Sequence, residues 1–312
     1  MDAFPLLLEL TPVGVLLLAG YAARHLLFKD EVIWRSLERF SFYLLMPVTL
    51  IAVLLHSDIS QLAFGELSLA LLLPFLVAGG VLLLLYQPLR RRGMSNARYS
   101  SLFQTGTRWN AMIALALLLS RYGAEGLAYL AIAVLVLVPL INLVNVVMLT
   151  LILSQEPVNF RLALRRVAQN PIILGCAIGL LLASAPISLW PPIDRALLSL
   201  SDATAPIILL IVGAAIRFDA IQGQIGSVLL ASAIRLGLIP LVAFGVARYL
   251  GLSDLALMTV VVAAAVPTAA NGYILAREMG GDATLYANIA SFQTLVSAVS
   301  LPLWMLLVIY SS

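Results

Sequence analysis

Ten apolar runs follow one another along almost the whole chain, and each is long enough to form a membrane-spanning helix. As an α-helix, about 20 apolar residues cross the roughly 30 Å hydrocarbon core of a bilayer. The runs cover residues 5–24, 38–57, 62–87, 99–120, 125–153, 170–185, 195–216, 224–249, 253–276 and 283–310. Little chain is left for a soluble domain, and only 11% of the residues are charged. The sequence therefore predicts an all-α polytopic membrane protein with ten spans.

Prolines recur at the same spacing in the two halves of the chain. Pro12 and Pro47 are 35 residues apart, as are Pro171 and Pro206, and each lies 159 residues after its counterpart. Their surroundings match too, because the first proline of each pair opens an apolar run and the second lies within the next run. This pattern indicates an internal duplication.

We expect two five-span repeats, residues 1–153 and 170–312, joined by a cytoplasmic linker at 154–169. Because five is an odd number, the second repeat would enter the membrane in the opposite orientation to the first. Inverted repeats are typical of transporters, which bind substrate near the membrane midplane where spans are broken. The predicted fold is that of two inverted repeats with spans four and nine broken and crossing.

Basic residues are distributed unevenly between the two predicted sides of the membrane. The loops after the odd-numbered spans contain 13 Lys and Arg residues, whereas the opposite side contains Arg121, Arg195 and Arg248. The positive-inside rule assigns the richer side to the cytoplasm. Both termini are then extracytoplasmic, and we expect a multi-pass protein of the cell (inner) membrane. The pI of about 9.2 follows from this rule and does not indicate nucleic-acid binding.

Few residues could hold a metal or relay protons. Cys176 is the sole cysteine, and His25 and His56 are too few and too far apart for a metal site. No cofactor is expected. The spans also lack a central Asp or Glu, which disfavours a carboxylate relay. Sodium bound by unwound carbonyls, protons carried with the substrate, and uncoupled anion flow remain open.

Spans four and nine hold the candidate substrate site, because they occupy equivalent places and are unusually polar. Pro267 lacks an N–H and should break span nine, leaving carbonyls for a partner or a water-filled cavity to satisfy. Half-helix N-termini attract anions, and C-termini attract cations. The candidate substrate-binding residues are Thr105, Arg108, Asn110, Pro267, Thr268 and Asn271.

Two arginines lie within spans rather than at their ends. Arg108 lies in span four and Arg235 in span eight. An arginine at this depth costs at least about 2.5–3.5 kcal/mol and usually faces a cavity or a partner. Arg108 would suit an anionic substrate, and Arg235 is a candidate for a gating or charge role. The alternative is that helix C-terminal carbonyls hold each arginine.

Gln293 in span ten is interpreted as a packing residue.

Several segments together resemble the auxin efflux carrier family, which includes plant PIN auxin exporters and bacterial malate or malonate carriers. The segments are 42–47, Arg108-Trp109-Asn110, 170–173, 205–214 and 266–282. The resemblance implies a scaffold domain and a moving transport domain, as in the related bile-acid sodium symporters. It implies an anion site where spans four and nine cross, with Asn110 and Pro267 as its best-supported residues, and it allows a homodimer through the scaffold.

Span four departs from related bacterial members because no proline follows Asn110, which predicts a less complete break than in span nine. The long cytoplasmic loop of the plant exporters is absent too, which favours a small carboxylate over auxin. The predicted function is elevator-type secondary transport of small organic anions such as malate or malonate, with auxin-like acids as a further candidate. An anion channel, a membrane sensor and, less favoured, an intramembrane enzyme are the alternatives.

Overall fold

The structure is a computed structural model that describes residues 3–56, 64–153, 165, 168–184, 189–216, 224–269 and 272–311. All regular structure within these ranges is helical. The prediction of an all-α polytopic membrane protein is therefore confirmed. Most of the predicted linker at 154–169 lies outside the described residues.

The helices are short or interrupted at several places along the chain. In order, they are α1 (Ala3–Ala22), α2 (Glu31–Phe40), α3 (Met46–Leu55), α4 (Phe64–Arg91), α5 (Asn96–Thr107), α6 (Ala111–Leu153), α7 (Pro171–Ala183), α8 (Pro191–Ala214), α9 (Ile225–Ser232), α10 (Ile239–Tyr249), α11 (Asp254–Ala265), α12 (Gly272–Glu278) and α13 (Ala283–Ser311). π-Helical turns extend α1 over Ala23–Leu27, join α2 to α3 over Ser41–Leu45 and join α9 to α10 over Ala233–Leu238.

Six helical stretches among the described residues are long and apolar enough to cross a membrane: Glu31–Leu55, Phe64–Arg91, Asn96–Leu153, Pro191–Ala214, Ile225–Tyr249 and Ala283–Ser311. Shorter apolar helices cover Thr11–Leu27, Pro171–Ala183 and Asp254–Ala265. The Asn96–Leu153 stretch includes predicted spans four and five, which Gly123 separates with a φ of 55°. The count of ten spans stays a prediction.

The chain divides into two compact units, and each unit draws residues from both predicted repeats. The first unit contains Met1–Phe64, Ala111–Leu135 and Arg166–Ile216. The second unit contains Gly65–Asn110, Val136–Arg165 and Arg217–Ser312. The units therefore differ from the sequence halves, because each is built from elements that are distant along the chain.

In the first unit, α1 and α8 touch backbone to backbone at two glycines. A Cβ atom on Gly20 would lie 2.0 Å from the carbonyl oxygen of Leu210. A Cβ atom on Gly213 would lie 2.0 Å from the carbonyl oxygen of Leu17. Small residues let membrane helices approach this closely, and van der Waals packing then holds them together.

The helices α7 and α3 meet in a related way in the same unit. A Cβ atom on Gly175 would lie 2.7 Å from the Pro47 Cα atom, and one on Gly179 would lie 3.1 Å from the Leu50 carbonyl oxygen. Gly20 and Gly179 are 159 residues apart, the same offset that relates the paired prolines. The two contacts thus share the offset of the paired prolines, and the duplication itself stays a prediction.

The second unit contains the polar segments of predicted spans four and nine. Ser95 begins α5 by accepting a hydrogen bond from the Arg98 N–H (3.2 Å), as helix-capping serines do. Helix α5 packs against α13 and α9, whereas α11 packs against α10 and α13. Helix α13 thus contacts both α5 and α11, the helices that lead into the two polar segments.

Candidate functional site

Span four is broken after Thr107, although no proline interrupts it. Arg108 adopts an extended conformation (φ −69°, ψ 149°), and α6 begins three residues later at Ala111. Two threonine hydroxyls donate to carbonyls of the preceding turn, Thr105 to Ser101 (2.8 Å) and Thr107 to Phe103 (2.9 Å). Such bonds bend helices and slightly destabilise them. Residues 108–110 form a non-helical stretch between two helices.

Span nine is broken at Pro267, as the sequence predicts. Val266 is extended (φ −64°, ψ 149°), because a proline disfavours the helical conformation for the residue before it. Helix α12 begins at Gly272. Val266 and Arg108 thus end their helices with nearly identical backbone angles, 158 residues apart. The two breaks are equivalent in conformation as well as in their position along the chain.

The side chain of Gln293, on α13, connects the two breaks. Its Oε1 atom accepts a hydrogen bond from the Thr268 N–H (3.0 Å), and its Nε2 atom donates to the Thr105 carbonyl (3.2 Å). In a continuous helix the Thr105 carbonyl would pair with the N–H four residues later, which lies beyond the end of α5. Gln293 is completely buried, so its amide, rather than bulk water, pairs with these two backbone groups. The interpretation of Gln293 as a packing residue missed this role.

Tyr286 holds the break of span nine from the other side. Its hydroxyl donates to the Ala269 carbonyl (2.6 Å), which leaves its oxygen to accept from the Thr268 hydroxyl (3.2 Å). A Cβ atom on Gly272 would lie 2.0 Å from the Tyr286 oxygen and 2.9 Å from Arg108 Cδ. Glycine is therefore required there, and the Arg108 side chain reaches the first residue of α12.

Arg235 is held by the C-terminal end of α11. Its Nη1 atom donates to the Ala264 carbonyl (2.6 Å) and its Nη2 atom to the Ala263 carbonyl (3.5 Å). The guanidinium also lies 5.2 Å from the ring centre of Phe75, a cation–π distance. These contacts match the alternative of an arginine held by helix carbonyls. A gating or charge role stays a prediction.

The structure brings most of the predicted substrate-binding residues to the two breaks. Pro267 and Thr268 are buried in one break, and Arg108 and Asn110 are half-buried in the other. Thr105 meets the site through its carbonyl, since its hydroxyl is bonded within α5. Asn271 lies outside the described residues. Substrate binding by these residues stays a prediction.

An apolar crevice of about 270 Å³ lies nearby in the second unit, but its chemistry does not suit an anion. Residues of α4, α5 and the C-terminal part of α6 line it, and none of them is charged. The hydroxyl of Thr107, its one polar lining side chain, donates within α5. The breaks, with Arg108 beside them, are the better candidate for binding a charged substrate.

The model of the membrane transport protein family matches residues 5–305. The chain belongs to this family. The match confirms the resemblance to auxin efflux carriers and agrees with a multi-pass membrane protein. Membership of a transporter family argues against the intramembrane-enzyme alternative.

A known protein is similar to part of this chain. An uncharacterized transporter of Methanothermobacter thermautotrophicus is 32% identical over 105 residues. The match spans 34% of this chain and 35% of the relative, so the chain covers about a third of the relative's length. The name of the relative agrees with a transporter and gives no substrate.

Proposed function

We propose that this membrane transport protein is a secondary transporter of small organic anions that works by elevator-type alternating access. The observation that carries the proposal is the junction, within one compact unit, of the C-terminal end of α5 with the break of span nine. Gln293 joins the breaks and the half-buried Arg108 lies beside them. Broken helices that meet in this way supply substrate and ion sites in other transporters.

An anionic substrate is favoured by the charge at this junction. Arg108 contributes a positive charge at the break of span four, and Asn110 supplies a half-buried amide two residues later. A carboxylate could accept hydrogen bonds from the Arg108 guanidinium and the Asn110 amide. Small dicarboxylates such as malate and malonate are the first candidates, and auxin-like acids follow.

The elevator mechanism is supported by the composition of the two units. The second unit contains both breaks, whereas the first unit contains the close glycine contacts of α1 with α8 and of α7 with α3. We assign the transport domain to the second unit and the scaffold to the first. A moving domain needs its substrate residues in one body, and the residues assigned here all belong to the second unit.

Counterflow of labelled malate in proteoliposomes tests the proposal. Asn110→Ala should reduce exchange at least about tenfold, because it removes an amide that contacts the substrate. Arg108→Gln should weaken the affinity for the anion and lower its dependence on salt. Asn142→Ala is the matched control, since Asn142 is a half-buried amide within α6.

Each alternative gives a different result in the same experiment. Equal exchange by Asn110→Ala and wild type, at equal reconstitution, would contradict the site. Currents far above the rate of alternating access would indicate a channel. Ligand binding without flux for malate, malonate and indole acids would indicate a sensor.

A further inference from the structure

A buried positive charge lies directly beside the break of span nine. Arg235 is 0% exposed, and no described carboxylate lies within ion-pair distance of it. Its Nη atoms donate to the carbonyls of Ala263 and Ala264, and its Nε atom has no hydrogen-bond partner in the described part of the chain. Unpaired buried charges are rare inside membranes and usually mark function.

The two carbonyls that hold Arg235 are those that the break leaves without a helical partner. In a continuous helix the Ala263 carbonyl would pair with the N–H of residue 267, which is a proline and has none. The Ala264 carbonyl would pair with the Thr268 N–H, which donates to Gln293 instead. Arg235 thus satisfies both acceptors, and it does so at the negative end of α11.

In broken-helix transporters, unwound carbonyls and half-helix C-terminal ends are the groups that coordinate sodium. Here the guanidinium occupies such an end through two of its nitrogens, and the Phe75 ring provides a further electron-rich face. A guanidinium and a free monovalent cation would compete for the same oxygens. The Arg235 guanidinium already supplies the positive charge that a bound free cation would bring to this helix end.

We propose that Arg235 is a tethered cation that takes the place of a coupling ion at the end of α11, so that transport has no requirement for sodium at this position. The inference rests on the proposed function for its transport readout. Arg235 acts as a positioning residue, because it fixes the carbonyl end of the break and leaves Arg108 and Asn110 to meet the substrate.

The test compares wild type, Arg235→Lys and Arg235→Ala in sodium chloride and in N-methyl-D-glucamine chloride of equal ionic strength. Two readouts are used: thermal unfolding in detergent and malate counterflow in proteoliposomes. Arg248→Ala is the matched control, because Arg248 is an exposed arginine at the end of the same predicted span. Removal of a buried charged donor should slow exchange roughly tenfold or more.

Wild type and Arg235→Lys should give the same melting temperature and exchange rate in both salts. Arg235→Ala should melt lower and exchange more slowly in N-methyl-D-glucamine. Sodium or millimolar guanidinium should restore part of both losses, which removal of a merely structural contact would not produce. Arg248→Ala should match wild type.

Two results would overturn the inference. One is a wild type whose melting temperature or exchange depends on sodium, and the other is an Arg235→Ala variant that behaves like Arg248→Ala. If Arg235→Ala does not fold, wild type and Arg235→Lys decide by their response to sodium. If wild type exchanges no anion, the proposed function fails, and the melting temperatures in the two salts still decide the role of Arg235.

Discussion

At the residue scale, the amide of Gln293 connects the two broken helices. Among the described residues it is the partner of both the Thr268 N–H and the Thr105 carbonyl. Gln293→Leu would replace the amide by an apolar side chain of similar size and leave the Thr268 N–H and the Thr105 carbonyl unpaired. Each buried unpaired group costs about 1–3 kcal/mol. We expect a lower melting temperature and, in the protein that remains folded, at least about tenfold slower anion exchange, because the two breaks are no longer held together.

Thr294→Val is the control for this prediction. Thr294 is the next residue on α13, and its hydroxyl donates to the Ala290 carbonyl of its own helix (2.8 Å). Its removal should change neither exchange nor affinity. A folded Gln293→Leu protein that exchanges malate at the wild-type rate would show that the amide serves stability alone.

At the element scale, the contact of α1 with α8 depends on two glycines. The methyl group of Gly20→Ala would lie 2.0 Å from a backbone oxygen of α8, so the helices must separate. Overpacking of this kind typically costs about 1–3 kcal/mol. We expect Gly20→Ala to lower the melting temperature of the purified protein by several degrees, measured by thermal unfolding in detergent.

Gly14→Ala provides the comparison on the same helix. A Cβ atom on Gly14 meets nothing within 4 Å, and alanine favours a helix over glycine by about 1 kcal/mol. This variant should be as stable as wild type or slightly more stable. Equal melting temperatures for Gly20→Ala and Gly14→Ala would mean that α1 and α8 do not pack as closely as described.

At the scale of the whole molecule, the predicted orientation in the membrane follows from charge alone and is open to a direct test. Cys176 is buried, so cysteines introduced into exposed loops can be labelled selectively. Arg92 and Ser253 are exposed loop residues on opposite predicted sides. With a membrane-impermeant maleimide on intact cells, Ser253→Cys should react and Arg92→Cys should react only after permeabilisation, because the positive-inside rule places Arg92 in the cytoplasm.

Reaction of Arg92→Cys alone in intact cells would mean that the orientation is opposite to the predicted one. Reaction of both variants would contradict the prediction that these two loops lie on opposite sides of the membrane. The unmodified protein, with Cys176 alone, is the control and should remain unlabelled in intact cells. Labelling of Cys176 would show that the first unit opens under the conditions of the assay.

The sequence alone determined the class of the protein and the location of one break. Runs of about 20 apolar residues can satisfy their backbone in a membrane only as helices or as strands of a closed barrel, and the continuous runs here favour helices. Pro267 predicts the break of span nine, because a missing N–H and a clash with the preceding turn are properties of the residue itself. The equal spacing of the prolines in the two halves of the chain predicts the duplication.

The tertiary structure decided which polar groups meet. No proline marks the break after Thr107. The Thr105 carbonyl, which the break leaves without a helical partner, accepts a hydrogen bond from Gln293, 188 residues away along the chain. The sequence left two interpretations of Arg235: a gating or charge role, or an arginine held by helix carbonyls. Its contacts with Ala263 and Ala264 depend on how spans eight and nine pack. Hydrogen bonds between distant helices follow from packing, which the local pattern of residues does not contain.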